Sequence, residues 1–137
     1  MTGKVCVVTG GSSGLGSYMA QGFLESGAAR VYITARSEEK LVAKAEELSQ
    51  VADGECIAIP GDLSDMKGVG ALSASIRDAE EYVDVLVNNA GIGTGAYIDD
   101  LKVEDWDRTL DLNLRSPLFL TQSLLGLLRK RATLETP

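Results

Sequence analysis

Eight residues, Thr9-Gly10-Gly11-Ser12-Ser13-Gly14-Leu15-Gly16, follow directly on the apolar run Val5-Cys6-Val7-Val8. A buried strand that opens through a glycine-rich turn into a helix presents bare backbone N–H groups to a ligand. Glycine lets the main chain approach closely, and the dipole at the start of the helix favours negative charge. The chemistry this allows is the cradling of a phosphate or pyrophosphate. A second short motif, Asn88-Asn89-Ala90-Gly91, closes another apolar run. A proton-transfer group is harder to find. The chain has no histidine, and four residues beyond Tyr18, Tyr32, Tyr82 and Tyr97 stand Gly22, Arg36, Leu86 and Leu101. No tyrosine therefore has a lysine one helical turn further on. Tyr32 does have a cation at that spacing, but it falls on a strand.

The elements that must position these residues are legible from periodicity. Lys4–Thr9, Arg30–Ala35, Glu55–Pro60 and Val83–Asn88 are short, continuous and rich in β-branched residues, as suits parallel strands covered on both faces. Helical patterns lie between them. Leu15–Ser26 is closed by Gly27, and Glu38–Val51 follows the N-cap candidate Ser37 with Leu41, Ala45 and Leu48 on one face. Ser64–Tyr82 carries Val69, Leu72 and Ile76, although Gly68 and Gly70 weaken its first half. A last helical region runs from about Val103 to Arg131, with Trp106, Leu110, Leu114, Leu120, Leu124 and Leu128 inward, and the tail Thr133–Pro137 reads as a loop. This alternation predicts an α/β fold: a Rossmann-type doubly wound parallel sheet, incomplete, with four strands in the order 3-2-1-4 and helices on both faces. Residues 1–137 read as one dinucleotide-binding domain, about half of a six-stranded fold.

Composition narrows the function classes. At 137 residues and 45% hydrophobic content the chain suits a single core, and a formal charge of −7 argues against nucleic acid or an anionic membrane as partner. No apolar stretch reaches bilayer length and no signal peptide opens the chain, so the expected location is cytoplasmic. No acidic cluster has metal-ligand spacing, and the glycine turn lacks the lysine of a phosphate-transfer loop, so no metal is expected. Cys6 and Cys56 fall on the first and third strands, two strand spacings or about 10 Å apart in the predicted order, too far for a disulfide. They are expected to be reduced and buried.

The spacing G-x-x-x-G-x-G of Gly10, Gly14 and Gly16, with Thr9 before it and Asn88-Asn89-Ala90-Gly91 after the fourth strand, resembles the short-chain dehydrogenase/reductase family. The resemblance covers essentially the whole chain. It implies that Gly10, Ser12, Ser13, Gly14, Leu15 and Gly16 line the adenosine and pyrophosphate of a dinucleotide. It implies that Asp62 and Leu63 read the adenine ring, with capping of the next helix as the alternative for Asp62. Asn89, Ala90 and Gly91 match the segment that fixes the central strand and touches the adenine ribose, while Asn88 has a structural alternative in holding neighbouring backbone. NAD-selective members place an acid at the end of the second strand, where this chain has Ala35. Arg36 follows, and its planar guanidinium matches a phosphate; Ser37 adds a hydroxyl and an amide. NADP(H) is therefore expected over NAD, the alternative being a solvated Arg36 paired with Glu38 or Glu39.

Asn113 matches the family asparagine whose main-chain carbonyl holds a water of the proton relay. Pro117, four residues on, has no N–H to bond that carbonyl, so the helix should depart from regularity there. The catalytic Ser, Tyr and Lys of the family have no counterparts in this sequence, and their positions are expected beyond Pro137. The resemblance implies an oxidoreductase acting on a small-molecule ketone or secondary alcohol, present here as the truncated cofactor-binding half, and a homo-oligomer formed through the last helix. The general look is similar to the 3-oxoacyl-carrier-protein reductase-like branch. The other reading is a non-catalytic nucleotide-binding or interaction module.

Overall fold

The computed structural model describes residues 1–134, with side chains through Ala132. Its elements are β1 (Val5–Thr9), α1 (Gly14–Glu25), β2 (Arg30–Thr34), α2 (Glu38–Leu48), β3 (Glu55–Ala58), α3 (Met66–Ala79), β4 (Val85–Val87), α4 (Val103–Leu110) and α5 (Ser116–Leu134). A 3-10 turn at Ile98–Asp100 precedes α4, and a π turn at Asp111–Arg115 joins α4 to α5. The strands form one parallel sheet in the order β3-β2-β1-β4, as the alternation predicts. β1 ends at Thr9 as its run suggests, β2 and β4 end one residue early and β3 two, and β4 also starts two residues later than its run. Of the expected tail, Thr133 and Leu134 continue α5, and residues 135–137 lie outside the described residues.

Alternation along the strands divides the core into two layers. Val5, Val7 and Tyr32 point to the face covered by α3 and α5, where they meet Val69, Leu72, Ile76, Leu120 and Leu124. Cys6, Val8, Val31 and Ile33 point to the opposite face, against Ala20, Leu24, Leu41, Ala45 and Leu48 of α1 and α2. Both faces are thus closed, which is why the strands read as unbroken apolar runs. Cys6 and Cys56 are free thiols in that second layer. Burial pushes them up to about 11 and about 12, so they pack as neutral hydrophobes.

Helix boundaries follow local chemistry. α1 ends with Gly27 at φ +91, and the bonds Gly27 N–H to Leu24 O and Ala28 N–H to Phe23 O close a Schellman motif. α3 starts two residues later than its pattern because Asp65, not Asp62 or Ser64, is the cap: its carboxylate accepts from Gly68 N at 2.8 Å. Gly68, a weakness by helix propensity, is required by packing, since a Cβ there would lie 1.6 Å from the Asp62 carbonyl oxygen.

The last helical region departs from its expected pattern. The π turn has Ser116 N–H bonding to Asp111 O, five residues back, so the helix phase shifts before α5 begins. Leu120 and Leu124 are buried and Leu128 is partly buried, but Trp106 is 53% exposed and Leu114 62% exposed. One inward stripe cannot run through an inserted residue, so the face extrapolated from α5 back to Trp106 is wrong. Leu127 joins the core instead.

Two buried acids fasten the end of the sheet remote from the glycine turn. Glu80 accepts from the Tyr32 hydroxyl at 2.6 Å and from both the Nε and the Nη2 of Arg30. Asp84 accepts from Val5 N at 2.8 Å, and it pairs with Lys4 at 3.1 Å and Arg131 at 2.8 Å. Arg131 also lies 4.7 Å over the Tyr82 ring. Burial works against a charged Glu80, but the bonds from Arg30 and Tyr32 outweigh it and hold the carboxyl below its usual value. Such a group stabilises the fold fully above its unfolded pKa, and the contribution disappears as pH falls through the folded pKa. Glu80→Gln is expected to cost about 2 kcal/mol at pH 7, less than the about 3–5 kcal/mol of a fully buried pair because Arg30 is 38% exposed. In urea melts the gap between variant and wild type should narrow from about pH 5 downward. A gap that is the same at pH 7 and pH 3.5 would contradict the assignment.

Candidate functional site

The carboxyl ends of the strands open on a crevice of about 670 Å3, within the range of small-molecule sites. One wall is Gly10, Ser12 and Ser13 after β1; another is Thr34, Ala35, Arg36, Ser37 and Lys40 from the end of β2 into α2. Gly61, Asp62 and Leu63 after β3 form the third, and Asn89, Ala90, Gly91 and Ile92 after β4 complete the rim with Leu112.

The crevice floor is held by backbone bonds between strand ends. Thr34 O accepts from Gly10 N at 2.9 Å and Gly11 N at 3.1 Å, which pins the glycine turn to β2. Thr9 Oγ1 accepts from Asn89 N at 3.0 Å and Ala90 N at 2.9 Å and donates to Val87 O at 3.3 Å. Asn89 Nδ2 returns two bonds, to Thr9 O at 2.9 Å and Gly10 O at 3.2 Å. The second asparagine of the Asn-Asn pair thus fixes the central strand. Asn88 holds a side chain rather than backbone, donating to Thr121 Oγ1 of α5 at 3.1 Å.

The glycine run divides into ligand-facing and packing residues. Gly10, Ser12 and Ser13 line the crevice, and the Ser12 and Ser13 N–H groups form no hydrogen bond among the described residues. Gly14, Leu15 and Gly16 do not line it. Leu15 is 75% exposed at the start of α1. Gly16 is buried, and a Cβ there would lie 2.2 Å from the Gly10 carbonyl oxygen, so the missing side chain is what lets α1 seat against the turn. The three glycines share a motif but not a task.

Arg36 is exposed and forms no ion pair with Glu38 or Glu39 among the described residues. Ser37 is the N-cap of α2, but its hydroxyl makes no capping bond. Asp62 accepts from Ser64 N at 2.9 Å, a local turn and not a helix cap. That bond, with the charges of Arg36 and Arg108, holds its carboxyl below the usual range. Leu63 reaches the crevice from a side chain that is 5% exposed and packed in the core, and its carbonyl accepts from the buried Ser116 hydroxyl.

Asn113 stands in the π turn, as the missing N–H of Pro117 anticipates. Its side chain has a task the sequence did not reveal. Oδ1 accepts from Ile92 N at 2.9 Å and Nδ2 donates to Ile92 O at 2.7 Å, so it braces the segment leaving β4. No tyrosine lines the crevice. Tyr18 and Tyr97 are exposed, Tyr32 is buried on Glu80, and Tyr82 lies under Arg131.

Five lining residues escaped the motif reading: Thr34, Lys40, Gly61, Ile92 and Leu112. Thr34 has a sequence signal, because a hydroxyl at the buried end of a strand needs a partner. Thr34 is 1% exposed, yet its Oγ1 is the one buried side-chain oxygen or nitrogen without a hydrogen bond among the described residues. An orphaned hydroxyl and free turn amides fit a crevice shaped for a polar ligand.

A parallel sheet of this order with a glycine turn at its carboxyl end defines the Rossmann-type class of α/β domains. Comparison with known proteins narrows the class. The family profile described as short chain dehydrogenase matches residues 4–133, and the chain belongs to that family. It is 42% identical, over all 137 residues, to the rhamnolipids biosynthesis 3-oxoacyl-[acyl-carrier-protein] reductase of Pseudomonas aeruginosa, of which it covers 52%. Among solved structures, the Pseudomonas aeruginosa RhlG/NADP active-site complex superposes with a TM-score of 0.92 at 41% identity, covering 100% of this chain and 52% of that one. The L-sorbose reductase of Gluconobacter frateurii, complexed with NADPH and L-sorbose, gives 0.91 at 32% identity, covering 96% and 50%. The chain spans about half the length of these relatives.

Gly16→Ala forces a carbon against the Gly10 carbonyl and is expected to lower stability by at least about 2 kcal/mol. Gly22→Ala, on the exposed side of the same helix with open space around it, should raise stability by about 0.5–1 kcal/mol. Urea midpoints of the two variants check this, and equal shifts would show that α1 does not seat on the turn.

Proposed function

We propose that this chain binds NADP(H) in the crevice and forms the cofactor-binding part of an oxidoreductase acting on a ketone or secondary alcohol, of the 3-oxoacyl-carrier-protein reductase-like kind. The observation that carries the reading is the end of β2: Ala35 stands where an acid would select a free ribose hydroxyl, and an unpaired Arg36 follows it on the crevice wall. The complexes of two similar reductases with NADP and NADPH support it.

In this reading Gly10, Ser12 and Ser13 receive the pyrophosphate on backbone N–H groups, while Gly14, Leu15 and Gly16 set the helix behind them. Asp62 and Leu63 border the adenine, and Asn89, Ala90 and Gly91 border its ribose. Arg36 and Ser37 take the 2′-phosphate. NADP(H), when bound, supplies the hydride chemistry; these residues bind and orient it. The Asn113 carbonyl, deprived of an α-helical partner by Pro117, accepts a relay water. The substrate oxygen and its proton are not assigned to any tyrosine of this chain, since none borders the crevice.

The test is a fluorescence titration with NADPH and NADH. Arg36→Ala is expected to weaken NADPH binding at least tenfold, as removal of a charge-assisted bond worth about 1.5–3 kcal/mol requires, and to leave NADH within about twofold. Unchanged NADPH affinity in a folded variant would refute the assignment.

A further inference from the structure

Lys40 is the third residue of α2, and its side chain borders the crevice on the same wall as Arg36 and Ser37. Its position is locally unfavourable. The first turn of a helix carries positive potential, which Glu38 and Glu39 suit and a lysine does not. Neither acid compensates it, because Lys40 forms no ion pair among the described residues, whereas Lys44 one turn further on is paired with Glu47 at 2.5 Å.

The capping pattern is altered in the same direction. A Ser-x-x-Glu sequence would satisfy the turn reciprocally, hydroxyl to third amide and carboxylate back to the cap. This chain has Ser37-x-x-Lys40, and the Ser37 hydroxyl makes no capping bond. A cation, an unused hydroxyl and uncapped amides at one helix start are each a cost to the free chain. All three become favourable once a dianion stands in front of them. The same wall continues into Thr34, whose buried Oγ1 lacks a partner. Glu38 and Glu39 share the first turn of α2, and Asp62 lines the same crevice, where it is already engaged by Ser64 N and the charges of Arg36 and Arg108.

We infer that Lys40 is a second cation for the 2′-phosphate of the nucleotide, forming with Arg36 and Ser37 a phosphomonoester clamp on the first turn of α2. This rests on the NADP(H) reading and adds to it a specificity-determining residue. Arg36 supplies a fixed planar fork, while Lys40 supplies a mobile point charge from the helix side.

Titrations with NADPH, NADH and adenosine 2′-monophosphate test it in wild type, Lys40→Gln and Lys44→Gln. Lys40→Gln is expected to weaken NADPH and adenosine 2′-monophosphate about fivefold, the upper range for an exposed charge pair, and to leave NADH unchanged. The salt dependence of NADPH binding should flatten in Lys40→Gln and persist in Lys44→Gln. Lys40→Gln that keeps wild-type NADPH affinity overturns the role of Lys40 and leaves the coenzyme reading standing. An equal loss in Lys44→Gln also overturns it, by reducing the effect to general surface charge. A wild-type chain without preference for NADPH over NADH overturns the coenzyme reading and this inference together.

Discussion

The crevice depends on the clasp between Thr9 and Asn89. Parallel strands leave their terminal carbonyls and amides unpaired at the carboxyl end, and here one hydroxyl and one carboxamide satisfy five such contacts across the gap between β1 and β4. The clasp aligns the glycine turn with the segment leaving β4, while Thr34 O ties the same turn to β2. Three strand ends are thereby held at fixed spacing, and the cradle exists before any ligand arrives. Preorganisation of this kind spares a binding site the ordering entropy it would otherwise lose.

The opposite end of the sheet is secured by charge. Glu80 and Asp84 gather Arg30, Tyr32, Lys4, Arg131 and a backbone N–H around two nearly dry carboxylates. The division is a physical one. Ionic anchors stand away from the crevice, where they do not compete with a ligand's phosphates, and the crevice end is fastened by neutral groups. Arg36 and Lys40 form no ion pair among the described residues, and the one acid on the crevice wall, Asp62, accepts from Ser64 N.

Much of this was legible in the residues. β-branched runs located all four strands, their alternation with helices pointed to the sheet order, and the glycine spacing with the Asn-Asn-Ala-Gly segment pointed to the place of the crevice. Asp62, Arg36 and Ser37 fell on its walls because position after a strand determines exposure at the carboxyl end. Other things were not legible. Leu15 and Gly16 share the motif with Gly10, yet they differ in facing solvent and core, which only the start of α1 decides. The inward stripe through Trp106 and Leu114 failed because apolar periodicity carries no mark of an inserted π residue. Lys40 escaped because a lysine in a charged helix turn looks solvated until its neighbours are known to leave it unpaired.

The brace between Asn113 and Ile92 has a mechanical consequence. A carboxamide carries one donor face and one acceptor face, and here both are spent on the N–H and C=O of a single residue, as a neighbouring strand would spend them. The linker out of β4 thereby acquires a surrogate sheet partner borne on a helix. The rim at Ile92 is thereby tied to the junction of α4 and α5, so the longest helix and the mouth of the cleft share one fixed point.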